Sequence, residues 1–234
     1  MITTLNDKKG TLAFSIMNLV EVINKGDLEQ IEKIKEFLDA VDVVLIDINP
    51  HKVIMREKMH VNGITELSPS ADIEFLSNYA LCVGSNLESF TASDIVAKAL
   101  DEIDCFKYSF DHYFDKVLCP IVTKARSDVK ALSKAKTRLT KKSRQSFPCT
   151  EQIYSKCIDF IVVNQSMNMP EKEWRDVFNL IVPAAYCDYA LADSRWVHFI
   201  RSTDLEYPYI AKVYNYRRLN EFLDDLEMHV CSVI

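Results

Sequence analysis

Glycine is scarce in this chain. The four present in 234 residues, Gly10, Gly26, Gly63 and Gly84, each stand alone, so no glycine-rich turn exists to cradle a phosphate in the dinucleotide-binding or P-loop manner. Nucleotide-binding classes lose ground on that count. Long apolar runs are missing as well. The longest, Leu180 to Cys187, falls far short of the roughly 18 to 20 residues of a membrane span, and no membrane partner is expected. The opening Met-Ile-Thr-Thr-Leu-Asn-Asp-Lys-Lys-Gly has neither the basic start nor the apolar core of a secretory leader. The seven cysteines are odd in number and include no Cys-x-x-Cys pair, which fits reduced thiols in a cytoplasmic protein better than a disulfide framework or a zinc site. Cys82, Cys105, Cys119, Cys157 and Cys187 are expected to be plain core residues. The terminal Cys231-Ser-Val-Ile has the loose form of a prenylation box, but the segment before it is acidic rather than polybasic.

What is present is an ordinary folding composition, 48% hydrophobic and 26% charged. The length suits one large domain, or one domain with an insertion. Thr11 to Asn24 reads as a short strand running into Ser15, then a helix with Ile16, Leu19, Val20 and Ile23 on one face. Asp27 is placed to cap a helix over 28–40, Val43 to Ile48 is a β-branched strand, and Pro50 opens a helix to about His60. Asp47, at the end of that strand, reads as structural. Ser70 or Asp72 is placed to cap a helix to about Val83, and Thr91 or Ser93 a longer one. Residues 106–114 are rich in aromatics, which at helical spacing mark a core more often than a surface for stacking bases, and His112 has no partner His at ligand spacing. From Cys149 the chain returns to an apolar helix, followed by a helix opening at Pro170, a short strand Tyr189 to Ala192, a short helix, a last strand Ile210 to Tyr214 and an amphipathic helix to Met228. Helices alternating with short apolar strands predict an α/β fold.

The charge is uneven. The chain carries a net −6, yet residues 124–144 hold nine basic residues and one acid, so that segment is +8 and the remainder −14. A basic strip on an acidic protein is what a phosphate backbone selects, and Lys130, Lys134, Lys136, Arg138, Lys141 and Lys142 are the candidate contacts to nucleic acid. A solvated basic helix or linker is the plainer alternative.

The acids carry the sharper signal. Residues 173–196 place Asp176 and Asn179 on one face of an apolar helix and end a short buried strand at Asp193. Acids on a helix and at the carboxyl end of a strand are how an α/β fold builds a metal site. Glu21 lies among the apolar residues of its helix, where a lone carboxylate is costly unless paired or bound to a cation; taken alone it reads as a surface Glu at the edge of the apolar stripe.

Asp176, Asn179, Pro183, Tyr186, Cys187, Asp188 and Asp193 match in type and spacing the penultimate helix and strand of the PIN-domain nucleases, which write Asp-x-x-His or Asp-x-x-Asn, an apolar run, Pro-Tyr-Cys-Asp and an apolar strand ending in Asp. The segment from Thr11 to Glu21, an apolar strand, Ser15, then a Glu in the following helix, resembles the one that supplies the family's second acid.

The resemblance implies a three-layer fold with a small parallel sheet flanked by helices, split as an amino-terminal part (1–62), a helical, partly basic insertion (63–148) and a carboxyl-terminal part (149–234). It also implies a metal-dependent endoribonuclease, with Glu21, Asp176 and Asp193 catalytic, Asp188 as a fourth ligand, and Ser15 and Asn179 supporting them. The ion would be Mg²⁺ or Mn²⁺, the substrate RNA, and the setting toxin-like or defence-related, with a protein inhibitor or antitoxin and a homo-oligomer as further partners. The family opens with an apolar strand ending in Asp. The ten residues before Thr11 hold none, so either the chain starts late or this member lacks one ligand. A PIN-like scaffold without catalysis and a helical interaction module without an active site are the other readings.

Overall fold

A computed structural model describes residues 2–77, 91–144 and 146–229. These residues are mostly helical, with short parallel strand pairs, which places the chain in the α/β class. No helix among them is long and apolar enough to cross a membrane. The elements are α1 (Ile2–Asp7), β1 (Thr11–Phe14), α2 (Ile16–Lys25), α3 (Leu28–Asp39), β2 (Asp42–Leu45), α4 (Pro50–Val61) and α5 (Ala92–Tyr113). After a π-helical turn (Phe114–Leu118) come α6 (Cys119–Ser127), α7 (Val129–Thr140), α8 (Thr150–Val163), α9 (Glu171–Tyr186), β3 (Tyr189–Leu191), α10 (Ser194–Ser202), β4 (Lys212–Tyr214) and α11 (Leu219–Met228).

The chain packs as two bodies. The first comprises 1–47, 70–106 and 217–234, the second 48–69 and 107–216. Within the expected insertion 63–148, residues 63–69 and 107–148 fall in the second body and 70–106 in the first. Nor do the strands form a single sheet among the described residues. They form two parallel pairs, β1 with β2 and β3 with β4.

In the first body β1 and β2 pair from Thr11 opposite Asp42 to Phe14 opposite Leu45. Each connection out of these strands is fixed by a cap. The Ser15 hydroxyl accepts the Asn18 N–H at 3.2 Å while the Asn18 side chain accepts the Ser15 N–H at 3.0 Å, a reciprocal box that starts α2. Asp27 accepts the Gln30 N–H at 2.9 Å and starts α3. Phe14, Ile16, Leu19, Val20, Ile31, Leu38, Leu45, Phe75, Ile95, Val96 and Ala99 form the core between these elements. Residues 73–77 are helical, and Asp72 accepts the Phe75 N–H, so Asp72 rather than Ser70 is the cap; the expected continuation to Val83, and Cys82 with it, lies outside the described residues. Thr91, not Ser93, accepts the Asp94 N–H at the start of α5, and Ser93 instead bonds Asp39.

The second body is built on α9, whose Trp174, Val177, Phe178, Leu180, Ile181 and Val182 are all buried. Phe114 stacks on Trp174 and meets Phe178 edge-on at 5.3 Å, so the aromatic run before α6 does serve as core at this position. Ala211 N–H donates to the Ala184 carbonyl and Lys212 N–H to the Asp188 carbonyl, which lays β4 beside β3 in parallel register. The β3–α10–β4 unit is a short crossover, packed through Trp196, Phe199 and Phe160.

Candidate functional site

The acids singled out in the sequence fall in both bodies. In the first, Glu21 is half-buried on α2, and Ser15 is buried and occupied as the cap of that helix. The remaining ones lie in the second body. Asp176 and Asn179 are half-buried on α9 and both engaged by neighbours. Asp188 and Asp193 are exposed.

One of these starts a helix that is tied back to α9. Asp193 follows the carboxyl end of β3 and caps α10, its carboxylate accepting the Arg195 N–H at 3.3 Å. The Arg195 guanidinium then reaches Glu173 in the first turn of α9 at 2.7 Å. Asp176 is one helical turn beyond Glu173 on the same face, so the ion pair ties its turn of α9 to the helix that Asp193 starts. The adjacent Arg175 turns elsewhere, to Asp111 at 2.7 Å and to Glu171. Asp188 takes part through its backbone, accepting the Lys212 N–H across the strand pair. Among the described residues no three His, Cys, Asp or Glu side chains gather into a group that would hold a metal ion. Asp193, which follows the carboxyl end of β3, offers a carboxylate oxygen, the donor a hard cation takes.

The basic strip folds as α6, α7 and the loop after it, and its residues separate into two kinds. Arg126 is structural: it donates to the carbonyls of Ile161, Asn164 and Met167 and so closes the end of α8, with burial lowering its pKa. Arg138 grips the buried Asp159 with two bonds of 2.7 and 2.5 Å. Lys130, Lys134 and Lys136 are exposed on α7. Lys141 and Lys142 begin the loop and line a groove of about 490 Å³ against α8, together with Arg138, Arg144 and Lys156.

Sequence reasoning missed a buried carboxylate. Glu57 on α4 is only 4% exposed and accepts hydrogen bonds from the Thr150 hydroxyl and, at 2.9 Å, from the Tyr186 hydroxyl. Burial raises its pKa against those two bonds, and its charge helps burial push the neighbouring Cys149 thiol up to about 12. Glu57 borders a cavity of about 180 Å³ with Lys58, Val61, Asn62, Pro148 and Glu151. Glu57 stands between Arg56 and Lys58, yet Pro50, Val53, Ile54 and Glu57 fall on one buried stripe at helical spacing, the signal that would have found it. Tyr186, part of the matched motif, is here a partner of this acid.

Compared with family models, with curated proteins and with solved structures, the chain matches none of them.

Proposed function

We propose that this chain is a PIN-like, metal-dependent endoribonuclease. The observation that carries the reading is the Arg195–Glu173 ion pair, which ties the Asp176 turn of α9 to the Asp193 cap at the carboxyl end of a parallel strand. Ligands and substrates of α/β sheets collect at that end. Carboxylate oxygens suit Mg²⁺ or Mn²⁺, and Asp176 and Asp193 would hold the ion, with Asp188 as a further ligand as the resemblance implies. A bound ion of this kind lowers the pKa of water and stabilises charge on a phosphodiester. Asp176 and Asp193 would each contribute a negative oxygen to it, and the basic loop would hold the RNA backbone. A toxin-like or defence role with a protein inhibitor rests on the family alone.

One observation favours a second reading, a PIN-like scaffold that binds RNA without cutting it: the Asp193 carboxylate is already engaged by the Arg195 N–H. Incubation of single-stranded RNA with the chain in Mn²⁺ separates the two, beside EDTA and an Asp176→Asn/Asp193→Asn variant. The nuclease reading expects metal-dependent cutting that the variant loses. Binding without cutting by the folded chain supports the scaffold. Neither binding nor cutting overturns both.

A further inference from the structure

We infer that the groove between the loop after α7 and the face of α8 is a preformed clamp for single-stranded RNA, using Lys141, Lys142 and Arg144 for phosphates and Phe147 for a base. The inference deepens the proposed function by giving a place and a strand preference to its RNA contact.

The charges in and around the groove decide the sign. Five cations line it, Arg138, Lys141, Lys142, Arg144 and Lys156, against two acids, Glu151 and Asp159. Each acid already has a partner: Asp159 has Arg138, and Glu151 has Lys58 at 3.5 Å. Lys156 is spent on Asp204 at 3.0 Å. Among the described residues the charged ends of Lys141, Lys142 and Arg144 are left without an ion pair, so three positive charges remain within four residues of chain. These are the groups that gain most from phosphate, since no internal contact has to break first.

The loop that carries them is tied down at its backbone. The Gln152 side chain accepts the Arg144 N–H at 2.8 Å and donates to the Arg144 carbonyl at 3.0 Å. The Ser143 N–H and hydroxyl both bond Asp204, and Lys156 donates to the Lys141 carbonyl at 3.3 Å. Burial pushes the Asp204 carboxyl up, but the Ser143 and Lys156 bonds outweigh it and hold the group well below the usual carboxylate range. The anchor therefore stays charged at any working pH, and less ordering entropy opposes binding.

Strand preference comes from Phe147. It lies in sequence between Ser146 and Pro148, which both line the groove. Its ring is 61% exposed and is supported on one side by Tyr209, with the ring centres 5.8 Å apart. An exposed aromatic beside uncommitted cations is the pairing that unpaired bases select, because a duplex keeps its base faces stacked inside. An acidic protein segment would use the cations but gain little from the ring.

Fluorescence anisotropy of the full chain in EDTA tests this, with labelled oligouridine, an RNA duplex of equal length, and polyglutamate. Oligouridine is expected to bind tightest. Lys141→Ala/Lys142→Ala/Arg144→Ala should lower the slope of log affinity against log salt by about 2, from three lost phosphate contacts at about 0.7 each. Phe147→Ala should weaken oligouridine binding about 10-fold while leaving that slope and duplex binding unchanged, within the range expected for one stacked base. Phe147→Trp should restore it. Circular dichroism confirms that the variants, all altered at exposed side chains, remain folded. Equal or tighter binding of the duplex or of polyglutamate overturns the inference, as does an unchanged salt slope in the triple variant. Asp176→Asn/Asp193→Asn should bind like the parent, so loss of cutting and loss of clamping are read separately.

Discussion

Glu57 shows how a single carboxylate is held at a cost inside a helical core. Its burial raises its pKa, while the Thr150 and Tyr186 hydroxyls pull the other way by bonding the carboxylate. The folded chain thus holds this proton more tightly than the unfolded chain does. Stability from Glu57 is accordingly highest below the ordinary carboxyl range, declines as pH rises through the raised value, and is flat above it. Glu57→Gln keeps an acceptor and removes the charge. It is expected to melt above the parent near pH 8 and to lose that advantage below about pH 4, where an unfolded Glu is itself protonated. Glu57→Ala leaves the buried Thr150 hydroxyl without this acceptor and is expected to destabilise by roughly 1–3 kcal/mol. Thermal melts of the three proteins across pH check both outcomes.

Among the elements, α2 illustrates how one residue can be read for chemistry and be found at work in structure. The resemblance gives Ser15 a supporting place beside a metal-binding acid, and the fold uses its hydroxyl to start the helix on which Glu21 sits. Ser15→Ala is expected to cost about 1 kcal/mol, measured by urea unfolding followed by circular dichroism, with Ser15→Thr recovering most of it. If Ser15 acts only as a cap, cleavage per folded molecule stays at the parent level in Ser15→Ala. The Asp27 cap of α3 and the proline start of α4 were legible in sequence because each rests on local chemistry, whereas Ser15 and Asn49 emerge as caps only in the fold.

For the molecule as a whole, the cores of both bodies are made mostly of apolar side chains, and α10 begins on an Asp193 cap and an Arg195–Glu173 pair that form without an ion. Chelation with EDTA is therefore expected to leave the melting temperature unchanged. Millimolar Mn²⁺ is expected to raise it, since any ligand that binds only the folded state stabilises it by mass action. The rise should vanish in Asp176→Asn/Asp193→Asn. A scan with and without Mn²⁺ reads this independently of cleavage.

The sequence by itself determined what periodicity and capping dictate: most of the helices, the short strands and their α/β alternation, the lack of a membrane-spanning helix among the described residues, and a basic strip on an acidic chain. Only the tertiary structure decided which charges are spent and which remain. Nothing near Arg126 or Arg138 in the sequence distinguishes them from Lys141, Lys142 and Arg144, because the carbonyls of Ile161, Asn164 and Met167 and the carboxylate of Asp159 are more than twenty residues away. The same holds for Glu57, whose partners Thr150 and Tyr186 come from α8 and α9. The division of the described strands between two parallel pairs likewise depends on contacts far apart in sequence, where local propensity carries no information.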